Sequence, residues 1–549
     1  SSLEKALELA PQDGQILTSA AEVYRSLGRS GTAAELLRKV VAQEKRQKSP
    51  SFAAAAPTVG SNPFAGVGSG VTSDVGIPAP VQAMSETADP LSSYAQIGSG
   101  LPPAPYPQSG ASVGNPFAVD AQGVTRDRLA GMSEAARSLD QITQERSAFL
   151  AQGLSVRSND SESGLSKITE VQAPFEVNLP VGDSRLAVRV TPVNLNAGGV
   201  SDDAKARFGA GIGGAAIALG DYIGNNPAAT ASEISEQASA LVSGSVGRQS
   251  DTGVGLAVAW ENEPSGVKAD IGVSPMGFLY STIIGGVGVE RPLGDSEHVR
   301  YSVELSRRAV TDSLVSFAGA RDARTDVEWG GVTANGGRAQ LSYDDGDVGV
   351  YGYGALHALT GNNVKANTRA ELGSGIYWYL LNDDSRMLTA GLSLTGIGYE
   401  NNQNNFTYGN GGYFSPQNFF SLAVPLSWAQ RTERWTYALR GSVGIQHIKT
   451  DSAPYFPNDK DMQRNLEQVA ALGVDIPTRF DGSSSTGIGY SLYGVAEYRL
   501  GRNFSLGGEL GIDNARDYRQ WNGGIYLRYM FEDQYRPLSL PVSPHQSPY

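Results

Sequence analysis

The sequence predicts a mainly β chain: a C-terminal antiparallel transmembrane β-barrel of about sixteen strands, preceded by α-helical tetratricopeptide repeats. Three observations carry this. From about Phe149 to Phe531 apolar residues recur with a period of 2. The connections between those segments alternate between short and long. Before them, the first 47 residues carry apolar residues at helical spacing.

Residues 1–47 read as the C-terminal end of a tetratricopeptide array. Leu17, Ala20, Ala21, Tyr24, Ala33, Leu37 and Val40 fall at the spacing of the helix–turn–helix unit. Leu3 and Ala6 fit the second helix of a preceding repeat, Pro11 its closing turn, and Gly28-Arg29 the next turn. One and a half repeats cannot bury their own face, so more are expected upstream. The opening Ser1-Ser2-Leu3 reads as mid-helix, so the sequence is expected to be the later part of a longer chain.

Residues 48–124 are rich in Ala, Pro, Gly and Ser and are expected to be a flexible linker. Asn62-Pro63-Phe64-Ala65 recurs within it as Asn115-Pro116-Phe117-Ala118, read as duplicated low-complexity sequence. Over 125–147 Leu129, Met132, Leu139 and Ile142 restore helical spacing and predict a helix leading into the barrel.

The barrel is assigned to 148–531. In the last strand Ile525, Leu527, Tyr529 and Phe531 alternate with Tyr526, Arg528 and Met530. Alternation alone also fits a soluble sandwich. Segments of about 9 to 13 residues match a tilted membrane-crossing strand better. Short turns are expected at Val181–Ser184, Asn262–Ser265, Asn382–Ser385, Arg431–Glu433 and Gly501–Arg502. Long loops are expected at Leu195–Ser250, Ala309–Asn335, Glu400–Gln417 and Asp451–Ser484. Phe208–Leu219 inside the first reads as glycine-rich loop. Lys460–Leu472 inside the last reads as a lid or plug helix. An even strand count puts both barrel ends on the periplasmic side.

Alternation also assigns a lumen. Glu170, Glu176, Arg189, Glu261, Lys268, Asp270, Arg300, Glu304, Arg308, Arg369, Glu371, Arg440, Glu497, Arg499, Glu509 and Arg528 point inward, because charge cannot face lipid cheaply. Their mixed signs argue against an ion-selective ring and for a structural network or a pore for something neutral. Inward Tyr351, Tyr353, Tyr377, Tyr379, Tyr493 and Tyr526 are candidates to contact sugar rings, with Glu304, Arg308, Arg369, Glu371, Arg440, Glu497 and Arg528 beside them. Trp260, Trp378 and Trp428 alternate outward, as anchors at the lipid interface of an outer membrane.

Composition removes other classes. A formal charge of −13 argues against nucleic acid as a partner. With no cysteine there is no disulfide, thiolate nucleophile or Cys-ligated zinc. His298, His357, His447 and His545 form no metal or triad motif. No catalytic residue, metal or cofactor is expected, and His357 is expected to hydrogen-bond in the lumen. No apolar run is long enough for a membrane-spanning helix.

Several segments then carry a resemblance: Pro275-Met276-Gly277-Phe278, Arg307-Arg308, Asp312 to Gly319, Trp329 to Val332, Leu341 to Asp344, Leu359 to Val364 and Gly411 to Gln417. Over about 126–549 the chain resembles the outer-membrane component of bacterial cellulose synthase, a family that joins tetratricopeptide repeats to a C-terminal export barrel. The end of the last strand, Asn522 to Phe531, also resembles the signal read by the barrel-assembly machinery. The family resemblance implies that a β-1,4-glucan (cellulose) chain passes through the barrel. It implies too that the repeats stand in the periplasm, facing synthase components and peptidoglycan. The long linker is a departure from the family pattern.

Within the loop 404–417, Tyr413 and Phe414 are gating candidates, expected to touch the glucan or the lumen wall. The tail Glu532–Tyr549, with Pro537, Pro541, Pro544 and Pro548, is expected to be extended and to line the entrance. Rival readings are an export porin for another exopolysaccharide such as poly-N-acetylglucosamine, and an outer-membrane barrel enzyme. Alginate, being anionic, calls for a basic lumen.

Overall fold

The computed structural model describes residues 2–48 and 132–542, apart from 295, 297, 474, 516, 517 and 541. Most of the expected linker, both Asn-Pro-Phe-Ala tetrapeptides, the start of the expected 125–147 helix and Pro541, Pro544 and Pro548 lie outside the described residues.

Sixteen antiparallel strands close into one barrel. They are β1 (Phe149–Asn159), β2 (Thr169–Gln172 continued by Phe175–Val181), β3 (Ser184–Asn196), β4 (Ser250–Asn262), β5 (Val267–Met276), β6 (Ile283–Pro292), β7 (Val299–Ala309) and β8 (Val327–Asp344). The second half is β9 (Val348–Asn362), β10 (Asn367–Asp383), β11 (Arg386–Tyr399), β12 (Asn418–Arg431), β13 (Trp435–Thr450), β14 (Ser483–Arg499), β15 (Phe504–Ala515) and β16 (Tyr518–Met530). β16 pairs back onto β1 from Phe149↔Met530 to Asn159↔Gln520, which leaves no sheet edge exposed to lipid. β2 breaks at Ala173-Pro174, where proline lacks the N–H a ladder needs.

Strand length departs from the expected 9 to 13 residues, running from 10 in β5 to 18 in β8. β8 outruns the ring because its first residues pair with Ala320–Asp322 of the preceding loop (Ala320↔Trp329). That loop is therefore 310–326, shorter than expected. Leu256, Val258, Trp260, Leu372, Leu392, Leu422, Ile445 and Leu510 stand exposed on the outer face. Water would not tolerate such a belt, but hydrocarbon does.

All short turns lie at one end of the barrel and the long loops at the other. Helices α1 (Ser2–Leu9), α2 (Gly14–Ser26) and α3 (Ser30–Lys48) precede α4 (Glu134–Glu145). Leu17, Ala20, Ala33, Leu37 and Val40 of α2 and α3 pack with Ala135 and Ile142 of α4. This bundle sits on the short-turn end. Asp183, in the β2–β3 turn, accepts from Thr32 N at 2.7 Å, from Thr32 Oγ1 at 2.7 Å and from Arg29 Nε at 3.1 Å.

The loop 197–249 carries α5 (Asp202–Ala206), α6 (Gly211–Asn225) and α7 (Ala231–Ser243). The expectation of irregular loop at Phe208–Leu219 is thus corrected. Ile212 and Ile217 of α6 pack on Tyr455, Phe456 and Leu466 of the loop 451–482. A Cβ at Gly213 would come within 2.8 Å of the Tyr455 ring, so glycine there serves close packing. Burial supplies what low intrinsic helix propensity lacks. A four-residue helix α8 (Leu314–Phe317) lies in the loop 310–326, and α9 (Lys460–Ala471) ends one residue before the predicted boundary.

Candidate functional site: the barrel lumen and its two mouths

Period-2 strands send alternate side chains inward, and the inward charges are paired across neighbouring strands. Arg157 pairs with Glu170, Arg189 with Glu176 (2.8 Å), Lys268 with Glu261 (3.1 Å) and Arg300 with Glu290 (3.0 Å). Arg308 grips Asp270 through both nitrogens, at 2.5 and 2.6 Å. Arg528 reaches Glu497 at 3.0 Å. Glu304 stands opposite Arg338 in the β7–β8 register. Each carboxylate neutralises a cation within reach, so the wall presents no single-sign ring.

The predicted tyrosines all lie on the inner wall, in two groups. Tyr351 and Tyr353 on β9 adjoin Tyr377 and Tyr379 on β10, whereas Tyr493 and Tyr526 sit on β14 and β16. They do not stand into the lumen. Tyr351, Tyr353, Tyr377 and Tyr526 lie over Gly375, Gly373, Gly349 and Gly507, their partners on adjacent strands. A Cβ at Gly507 or Gly349 would come within 2.0 Å of the ring above it. Tyr351, Tyr377 and Tyr526 are only 6%, 5% and 4% exposed.

Their hydroxyls are held as well. Tyr377 and Tyr379 both donate to Asp344 Oδ2 (2.7 and 2.8 Å), Tyr353 to Glu371 (2.8 Å), Tyr493 to Glu509 (2.5 Å) and Tyr526 to Glu497 (2.8 Å). Arg338 covers the Tyr353 ring at 3.7 Å. Fully buried Arg369 bonds His357 Nδ1 at 2.9 Å, a lumen role for that histidine. Arg440 lies opposite Tyr493 and Ser427 in the register. Among the described residues no three His, Asp or Glu side chains are grouped to hold a metal ion.

The long-loop mouth is covered. Phe208-Gly209, from the loop between β3 and β4, pairs in parallel with Phe406-Thr407, from the loop between β11 and β12. β3 and β11 are eight strands apart in a ring of sixteen, so this ladder joins opposite walls. Tyr455 of the loop 451–482 ties both loops together. Its hydroxyl donates to Ala206 O and its carbonyl accepts from Thr407 Oγ1, each at 2.6 Å. Arg324, paired with buried Asp322, donates to the carbonyls of Lys205, Phe208 and Val242.

Both gating candidates belong to this cover. Tyr413 is buried, its hydroxyl accepting from Asn367 Nδ2 of the wall at 3.0 Å. Phe414 N donates to Asp312 Oδ2 at 2.9 Å, and its ring meets Phe419 edge-on. Burial pushes Asp312 up to about 6, against the opposing pull of the Phe414 N–H, Arg157 and Arg369.

At the short-turn mouth the tail turns back inside. Arg499 donates to Arg536 O (2.6 Å), Arg431 to Leu538 O (3.0 Å) and Thr436 to Ser539 O (2.7 Å). Leu540 and Val542 then pack on inward-facing Ala429, Ala438, Val495 and Tyr493.

Several of these residues escaped the sequence reading. Arg157, Arg185, Arg338 and Asp344 follow the same alternation as the inward charges already assigned, so their parity was a usable signal. Arg324, Tyr455 and the Phe208–Phe406 pairing had none, because loop-to-loop contacts leave no periodicity.

A closed antiparallel barrel with an apolar outer belt, a charge-paired polar lumen and mouths of unequal loop length is a transmembrane β-barrel of the outer-membrane class. Residues 166–532 match the family model described as Cellulose synthase operon protein C C-terminus. The chain belongs to that family. Over all of its length it is 47% identical to Cellulose synthase operon protein C of Pseudomonas fluorescens (strain SBW25), covering 39% of that relative. It is 32% identical to the Salmonella typhimurium protein of the same name, over 69% of this chain and 30% of that one. The chain thus spans well under half the length of these curated relatives. Among solved structures, a bacterial polysaccharide outer membrane secretin matches 70% of this chain and 98% of its own, at 10% identity and a TM-score of 0.41.

Proposed function

We propose that the barrel is the outer-membrane channel through which a nascent β-1,4-glucan leaves the cell. Family membership carries the choice of cellulose, the product in the relatives' name. The observation that carries a neutral polymer is the lumen, whose charges are paired with one another rather than arrayed for a charged cargo. Glucan hydroxyls exchange weak hydrogen bonds with such a wall, and no single contact is strong enough to stall the chain.

In this reading residues 1–47 end a tetratricopeptide array in the periplasm, 48–124 are a linker, 125–147 lead into the barrel 148–531, and 532–549 line the entrance. The antiparallel α2–α3 pair and the seating of α3 on the β2–β3 turn support this arrangement. Upstream repeats meet synthase components and peptidoglycan, and the outward Trp260, Trp378 and Trp428 meet outer-membrane lipid. The covered mouth is the closed state of an outer gate that includes Tyr413 and Phe414.

We read the barrel as a conduit and not an enzyme. His298, His357 and His447 are engaged by Asp344 O, Arg369 and Thr486 respectively, with no acid–nucleophile pair beside them in these contacts. The test is deletion of the gene in a cellulose-producing strain. Cellulose trapped in the periplasm supports export. Normal secretion, or trapping of a different polysaccharide, refutes it.

A further inference from the structure

The inner wall is two-faced. From β1 to β10 it carries long ion-paired and aromatic side chains, so that side of the ring is filled. From β11 to β14 the register brings short ones together. Thr395 stands opposite Ser421, Ser393 opposite Ala423, and Ser442 opposite Ser491. Four strands give a floor about 14 Å across, from about 4.8 Å per spacing. Tyr377 and Tyr379 border it on one side, and Tyr493 and Tyr526 rise on the other. In a ring of fixed radius, open space lies where side chains are short.

Two independent observations make this lane more than a run of small residues. Ser421 is 1% exposed and faces inward, yet its Oγ has no hydrogen-bond partner. A hydroxyl so placed costs free energy unless something passing supplies a partner. The lane also already holds an extended chain at its lower end. There the tail runs along β12–β14, its carbonyls accepting from Arg431, Thr436 and Arg499 and its apolar side chains resting on Ala429, Ala438 and Val495.

We propose that the glucan travels off the barrel axis, along the inner wall of β11–β14, with Ser393, Ser421, Ser442 and Ser491 meeting its hydroxyl edges. This rests on the export reading and adds to it the track and the residues that set its fit. A flat neutral ribbon suits a hydroxyl-bearing floor, whereas bulky or charged substituents on the sugar would meet the tyrosine borders or lack a counter-charge.

The chain has no cysteine, so single thiols report cleanly. The full-length protein in liposomes would carry Ser393→Cys, Ser442→Cys or Ser491→Cys in the lane, and Ala257→Cys or Ala259→Cys on the opposite wall. An uncharged maleimide labels each with and without cellohexaose. At about four times its Kd, the sugar should slow lane labelling about five-fold and leave the opposite wall unslowed or unreactive. Equal slowing on both walls overturns the lane and leaves export standing. Lane thiols that stay unreactive, or that react unslowed while the opposite wall is protected, overturn the lane as well. No slowing at any position refutes both the lane and the export reading.

Discussion

Asp183 caps a helix that lies 151 residues away in sequence: its carboxylate accepts from the Thr32 backbone N–H at 2.7 Å, at the N-terminus of α3. The barrel's shortest turn thereby supplies the cap that the helix does not carry itself, and Arg29 closes the contact from the other side. Asp183→Ala should cost the helix–barrel contact about 1 kcal/mol, up to about 2. Hydrogen exchange should show faster opening of the first turn of α3 and unchanged protection in β2 and β3. Unchanged exchange in α3 would refute the cap.

The same contact has a pH dependence of known sign. Burial works against the Asp183 charge, but the bonds from Thr32 and Arg29 outweigh it and hold the carboxyl below its ordinary value. A depressed carboxyl stabilises the docked form above the unfolded value of about 3.9 and loses that contribution as pH falls through the folded value. Protease sensitivity at 29–32 should therefore rise only on acidification below about pH 4, and should not change between pH 6 and 8.

Asp312 works in the opposite direction. Its raised value, about 6, means that the seated loop binds the proton more tightly than the released loop. Seating is favoured fully below about 3.9 and loses that contribution as pH rises through about 6. Channel openings should become more frequent between pH 4 and 7, and Asp312→Asn should flatten that profile. A wild-type open probability independent of pH over this range would refute the link.

Removal of 404–416 takes away Phe406-Thr407, Tyr413 and Phe414 together, and with them one side of the cross-mouth ladder. Single-channel conductance of the reconstituted barrel should increase. Truncation after Glu532 should also raise it, from the other mouth, while heat-modifiable migration of the barrel stays normal. Conductance equal to wild type in either variant would show that the missing segment does not obstruct the path.

Gly507 lies beneath the Tyr526 ring, where a Cβ would approach within 2.0 Å. Gly507→Val should destabilise the barrel by about 1–3 kcal/mol and free the ring from the wall. The measurement is urea unfolding in lipid vesicles. Gly501→Val in the turn, where a Cβ meets nothing within 4 Å, is the control expected to stay near wild type.

The barrel was legible because its two environments alternate residue by residue. Ile525, Leu527 and Tyr529 could only face lipid if Tyr526 and Arg528 faced inward, and counting such segments yielded the strand number. The lumen charges were legible for the same reason. What the period could not reveal was posture: that Tyr377 points inward follows from parity, but that it lies down on Gly349 depends on a partner fixed by register. The loop cover was illegible for a different reason. Phe208 and Phe406 are joined across 198 residues by tertiary packing alone, and α6 forms from a glycine-rich stretch only because Tyr455 and Leu466 are there to bury it.

The ladder between Phe208-Gly209 and Phe406-Thr407 also decides how such a mouth must part. A flap hinged on one rim would swing as a unit. Here each half is rooted in its own wall, so the two separate along a central seam, as double doors do. Two residue pairs hold that seam, few enough for a filament advancing from below to unzip. Each half stays tethered to its strands, so the seam can re-form in register once the filament has cleared, without an external motor.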